Sequence, residues 1–281
     1  MNNATNSYLK EKSIQTENGE IFYYSDMAFQ NKLTVVFLHG LSSNHTTWIN
    51  AIETLHKNGY NSIALDLRGH GHSDKNKIKS LYKIPVFTDD LNRIVKNENI
   101  NRFFLVGYSF GGAIAIDYAI KYSNSILGLV LISANHVNPL EYKKIKFLTP
   151  IGYAILNFFA FLLLWQKRKK YYYFQQGESG GYWHSVWVGL NTMPLSINFW
   201  MLSQMGGLNF RENIANIKAP TIIIRANDDP FLSAAEAEEM SKAILNARII
   251  IPKHSSHFLA SHAQEEVAQI ILEFLKHYEP R

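Results

Sequence analysis

The chain has 281 residues, 47% of them hydrophobic and 18% charged, with no cysteine and a formal net charge of +5. A chain this long buries a full core, so it is neither a disordered tail nor a stapled miniature, and without thiols it has no disulfide, thiolate nucleophile or Cys-ligated metal. Lys143, Lys144, Lys146, Lys167, Arg168, Lys169 and Lys170 form a stretch of seven positive residues with no acid among them, and subtracting them from +5 leaves −2. The remainder is slightly acidic, so no nucleic-acid-binding face is expected.

Residues 1–12 are polar, with no apolar run behind their positive residues, and read as a flexible tail rather than a signal peptide. Asn18-Gly19 between the runs 13–16 and 20–24 reads as a hairpin turn, since both residues tolerate positive φ. Short continuous apolar runs follow at 33–38, 62–65, 103–106, 127–132, 221–224 and 248–251, the pattern of strands buried on both faces of a parallel sheet. Helical stretches lie between most of them. Ser233 and Glu236 have capping-box spacing before a helix over 235–245. Ser261 and Gln264 repeat it before a last helix whose apolar face is Val267, Ile270, Ile271, Phe274, Leu275 and Tyr278. The expected class is α/β, a mostly parallel sheet with helices on both faces. The strand–helix rhythm stops between about 135 and 219, which predicts a core of 13–135 and 219–281 carrying an inserted helical cap over 136–218.

The chemistry sits at strand ends. Gly107-Tyr108-Ser109-Phe110-Gly111-Gly112 follows one apolar strand and opens a helix, the setting in which a serine is held on a tight turn with its hydroxyl clear of the sheet. Gly107 and Gly111 leave room for the bend, and the helix start offers unpaired N–H groups to a developing negative charge. His39-Gly40-Leu41 ends another strand. Its functional reading makes the N–H groups of Leu41 and Phe110 a two-donor oxyanion hole; its structural reading is a simple turn in which His39 packs on its neighbours. Asp228-Asp229 and His257 follow the strands at 221–224 and 248–251, on the sheet edge that carries Ser109. A histidine there takes the serine proton and a carboxylate orients the histidine.

The motifs VVFLHG at 35–40, DLRGHGHSD at 66–74, GYSFGG at 107–112 and SHF at 256–258 resemble those of the α/β-hydrolase superfamily, in particular its capped members. The resemblance covers both flanks of the chain and leaves its middle unspecified. It implies Ser109 as nucleophile, His257 as base, Asp229 as acid, Leu41 and Phe110 as oxyanion donors, and neither metal nor organic cofactor. Asp229 is preferred over Asp228 because the family's acid usually sits three residues past a small turn residue, here Ala226. This chain departs from the pattern in having Ala226 where glycine is usual, and Ser255-Ser256 where a glycine often precedes the histidine. Relatives resembling epoxide hydrolases and haloalkane dehalogenases carry aspartate at the elbow, so the serine points instead to acyl transfer to water. Carboxylic ester hydrolysis is the expected reaction. Lactone or carbon–carbon bond hydrolysis, acyl transfer to an alcohol, and binding without turnover stay open.

The cap carries the substrate question. Residues 147–165 are 19 residues without a charge, and Thr149-Pro150 reads as the start of a helix over 150–165. Such a helix is roughly 24 Å long, short of a bilayer core of roughly 30 Å. It is apolar nearly all round, which fits either a lid over an acyl pocket or a helix dipping into one leaflet, with the basic residues of 143–170 on lipid headgroups. Phe158, Phe159 and Leu162 are expected to line the substrate site, and His136, at the start of the cap, to face it. The expected ligand is a small ester with an apolar or lipid-like acyl group, and the expected location is cytoplasmic, peripheral to a membrane. His70 and His72 read as structural, since no third metal ligand accompanies them. Oligomeric state is not written in the sequence.

Overall fold

The computed structural model describes residues 8–30, 32–139, 148–166, 171–174, 182–253, 257 and 259–279. Its strands are β1 (Lys10–Thr16), β2 (Gly19–Asp26), β3 (Thr34–Leu38), β4 (Asn61–Leu65), β5 (Phe103–Tyr108), β6 (Ile126–Ile132), β7 (Thr221–Ile224) and β8 (Ala247–Ile250). Its helices are α1 (Ile49–Lys57), α2 (Ile84–Asn97), α3 (Phe110–Lys121), α4 (Leu148–Leu162), α5 (Tyr182–Thr192), α6 (Leu195–Met205), α7 (Ala234–Ala243), α8 (Leu259–His262) and α9 (Gln264–Tyr278). The strands form one sheet in the order β1-β2-β4-β3-β5-β6-β7-β8, antiparallel at β1 and β2 and parallel from β4 to β8.

Every residue of β3, β4, β5 and β6 is buried, as the unbroken apolar runs require. Alternate side chains serve opposite faces. Val36, Leu38, Leu105 and Leu129 pack with α2, α3 and α7, while Val35, Phe37, Phe104 and Val130 pack with α1 and α9.

Three local expectations need correction. The predicted tail over 1–12 ends too late, because β1 starts at Lys10 and pairs Lys10, Glu11 and Lys12 with Ser25, Tyr24 and Tyr23. As an edge strand it mixes exposed polar residues with half-buried ones, a pattern without the apolar run that marks a buried strand. The hairpin closes Thr16 on Gly19, so the two-residue loop is Glu17-Asn18 and Gly19, at φ 117°, opens β2. The capping box at Ser233 and Glu236 forms, but Ser261 is already inside α8 and Ala263 occupies the N-cap of α9.

The insertion between β6 and β7, its parallel neighbour, carries α4, α5 and α6. Its two stems are joined by a bridge between Val137 and Asn209 and by the Phe210 N–H donating to the His136 carbonyl at 2.9 Å. Within it α4 packs on α6: Ala160 is fully buried, Ser203 Oγ donates to Asn157 Oδ1 at 3.3 Å, and the Tyr153 ring fills the space a Cβ at Gly206 would need. Pro150 falls in the first turn of α4, where its missing N–H removes no intrahelical bond.

Candidate active site

Ser109 joins β5 to α3 with φ 50° and ψ −112°, a conformation that costs a non-glycine residue about 1–3 kcal/mol. Its N–H donates to the Ile132 carbonyl at 2.9 Å, which holds the turn to β6. The flanking glycines make the turn sterically feasible. A Cβ at Gly107 would lie 2.6 Å from the Gly111 carbonyl oxygen, and one at Gly111 would lie 2.5 Å from the carbonyl oxygens of Leu38 and His39. Helix α3 therefore starts hard against the loop after β3, with the Phe110 N–H at its first position, where helix geometry supplies no i−4 acceptor.

The loop after β3 comes equally close from its own side. A Cβ at Gly40 would lie 2.9 Å from the Tyr108 ring and 3.5 Å from Ser109 Cβ. Two histidines then tie this loop to the one after β4 in reciprocal fashion. The Leu67 N–H donates to His39 Nε2 at 3.0 Å, and the Ser42 N–H donates to His70 Nε2 at 3.0 Å. Since each Nε2 accepts from a backbone N–H, each ring is neutral and carries its proton on Nδ1, facing the Gly40 and Arg68 carbonyls. Leu41 sits between these anchors, and among the described residues its N–H has no acceptor.

Burial pushes His39 down to about 4 and His70 well below the ordinary histidine value. Between pH 6.5 and about 4 the unfolded chain takes up a proton that folded His39 refuses, so stability falls by about 3 kcal/mol as the medium acidifies across that window. Urea unfolding of wild type and His39→Gln at pH 7 and pH 5 measures this; an equal pH dependence in the two proteins would remove His39 as the cause.

Asp229 follows β7 and His257 follows β8, and His257 Nδ1 meets Asp229 Oδ1 at 2.8 Å, both residues buried. The same carboxylate oxygen accepts the N–H groups of Phe231 at 2.9 Å and Leu232 at 3.2 Å. Asp228 is exposed, and of the two adjacent carboxylates it is Asp229 that meets His257. The His257 backbone is held by Tyr108, the residue before Ser109, whose hydroxyl donates to the His257 carbonyl at 3.2 Å. Burial opposes ionisation of Asp229, yet the hydrogen bond and charge of His257, the Phe231 N–H and the Ser133 hydroxyl together hold its carboxyl below the usual value.

Ser133 is the site residue that sequence reasoning missed. It follows β6 directly at φ 47°, is buried, and its hydroxyl and Asp229 Oδ2 are both without a partner at standard hydrogen-bond geometry. A serine closing an apolar strand carries no motif; its one signal was its place on the same sheet edge.

Four expected substrate residues are not brought to this site. Phe158, Phe159 and Leu162 are 59%, 48% and 46% exposed, because α4 uses its opposite side, with Tyr153, Asn157 and Ala160, to pack on α6. His136 is buried and faces Glu239 of α7 at 3.3 Å, which ties the start of the insertion to that helix. The seven basic residues, and Ser255, Ser256 and Phe258, lie outside the described residues. Among the described residues no three His, Asp or Glu side chains gather as metal ligands.

The family model for the alpha/beta hydrolase fold matches residues 34–152. The chain is 25% identical to epoxide hydrolase 3 of Xenopus tropicalis, over 92% of this chain and 76% of the relative. It is also 25% identical to a non-heme chloroperoxidase of Kitasatospora aureofaciens, over 92% of this chain and 98% of the relative. Among solved structures, a bacterial membrane phospholipase A matches with a TM-score of 0.76 at 23% identity, covering 98% of this chain and 88% of the other. A parallel sheet with an antiparallel edge, a strained serine between β5 and α3, and these likenesses together give the chain the α/β-hydrolase fold.

Proposed function

We propose that the protein hydrolyses carboxylic esters through a Ser109 acyl-enzyme. The observation that carries this reading is the buried Asp229–His257 pair at 2.8 Å, tied by the Tyr108 hydroxyl to the strand end that presents Ser109 at positive φ. Ser109 Oγ attacks the acyl carbonyl while His257 Nε2 takes its proton. The carbonyl oxygen becomes an oxyanion that accepts from the Leu41 and Phe110 N–H groups, and each such donor typically contributes about a hundred- to a thousandfold in rate. Collapse breaks the ester C–O bond, and the alcohol leaves with the proton from His257. Water, deprotonated by His257, then attacks the acyl-enzyme and releases the acid and Ser109. Asp229 keeps the Nδ1–H tautomer of His257 in place and balances the charge of its imidazolium.

Epoxide opening, the activity in the name of one relative, does not suit a serine. Attack on an epoxide carbon would leave a Ser109 ether, which has no carbonyl for water to attack, whereas a carboxylate nucleophile leaves a hydrolysable ester. A fluorophosphonate probe tests the reading. Wild-type protein is expected to be labelled at Ser109 and to hydrolyse nitrophenyl esters; an unlabelled wild type, or labelling undiminished in Ser109→Ala, would overturn it.

A further inference from the structure

We propose that the outer face of α4 docks the protein, with the helix lying flat, on an anionic lipid surface. Ile151, Ile155, Phe158 and Leu162 recur at i, i+4, i+7 and i+11, so at 100° per residue they share one stripe, with Phe159 and Phe161 at its margins and Trp165 in the turn that follows the helix. All seven are between 46% and 76% exposed. This inverts the usual arrangement, in which a surface helix turns its apolar stripe inward and its polar side to water. Here the inward side, against α6, includes Asn157 and the Tyr153 hydroxyl, which donates to Asn138 Oδ1 at 2.6 Å. A contiguous apolar stripe left in water on a folded protein marks a contact surface.

Charge selects the occupant. From residue 142 to residue 177 the chain has seven Lys or Arg and no Asp or Glu. In the sequence Lys146 stands two residues before α4 and Lys167 two residues after Trp165, so the basic residues flank the stripe along the chain. A second copy of the chain, docked symmetrically on this stripe, would set two like-charged clusters against each other. An anionic lipid surface meets the same charges with opposite sign and receives the aromatic and aliphatic side chains below its headgroups. The 15 residues of α4 extend about 22 Å, and no helix among the described residues is long and apolar enough to cross a bilayer, so the helix lies along the surface. Trp165, in the turn after the helix and 76% exposed, is of the side-chain type that settles at headgroup depth.

Docking through this face rests on no step of the reaction at Ser109, and the test keeps the two apart. Wild type and Ser109→Ala are expected to co-sediment alike with vesicles of equal parts phosphatidylcholine and phosphatidylglycerol, to bind pure phosphatidylcholine far less, and to be released as salt rises. Ile155→Glu with Trp165→Glu, two exposed positions, should lower binding to the mixed vesicles by at least about tenfold with the melting temperature and circular dichroism unchanged. Undiminished binding by that variant, or no binding by wild type, would overturn the proposal. Absence of vesicle binding together with a wild-type dimer that the same substitutions dissociate would assign the stripe to a second copy of the chain.

Discussion

Ser109→Ala is expected to lower kcat for a nitrophenyl ester by about a millionfold while leaving KM within a few-fold, the behaviour of a nucleophile whose removal disables a mutually dependent set. On stability the same substitution is expected to be silent. Ser109 sits at φ 50° because β5, α3 and the loop after β3 meet there, and alanine occupies the same strained backbone. No strain is relieved, no cavity of consequence opens, and the melting temperature should hardly move. An activity loss with an unchanged melting curve therefore separates chemistry from folding. A residual rate within tenfold of wild type would mean that the ester is cleaved elsewhere.

Asp229→Asn is expected to cost about a thousandfold in kcat, a smaller loss than the roughly ten-thousandfold that follows when an amide forces the wrong histidine tautomer. The difference comes from which oxygen does the work. Asp229 Oδ1 accepts from His257 Nδ1 and from the Phe231 and Leu232 N–H groups together, while Oδ2 makes no standard hydrogen bond and is the oxygen left to the Ser133 hydroxyl. The two backbone donors orient the asparagine with its oxygen toward His257 and its NH₂ toward Ser133, whose hydroxyl can accept. The tautomer survives and only the negative charge is lost. At an effective dielectric near 20, a unit charge about 4 Å from the imidazolium is worth about 4 kcal/mol, close to a thousandfold in rate. Parallel kinetics of Asp229→Asn and Asp229→Ala check this: the alanine variant, which orients nothing, should be the slower. Equal losses would place the effect in charge alone and remove the orienting role of Oδ1.

The parallel strands were legible in the sequence because a strand buried on both faces has to be apolar at every position, and the structure places β3 to β7 within a residue or two of the runs that announced them. The strand-to-helix turn at Ser109 was legible for a related reason: glycines at 107 and 111 are forced by backbone atoms that no side chain can displace. What escaped was set by tertiary contact. β1 is an edge strand without an apolar run, and Ser133 matters through a neighbour 96 residues away. Helix α4 shows the limit most clearly. Its excess of apolar residues was visible, but a helix apolar on two sides does not say which side meets the protein. Tyr153 and Asn157 settle that by bonding inward, and Phe158, Phe159 and Leu162 turn out to face the solvent.

The pinched stem at Val137 and Asn209 bears on how such a chain diversifies. Because the cap departs and returns between two strands already paired in register, the core closes the same loop whatever that loop contains. Loop-closure entropy grows only with the logarithm of length, about 0.6 kcal/mol per doubling. Whole caps are therefore exchangeable at that seam at little thermodynamic expense. Acquisition of a new substrate range or a new cellular surface would require grafting one segment, with the elbow, the histidine cross-braces and the acid–base pair left as they stand.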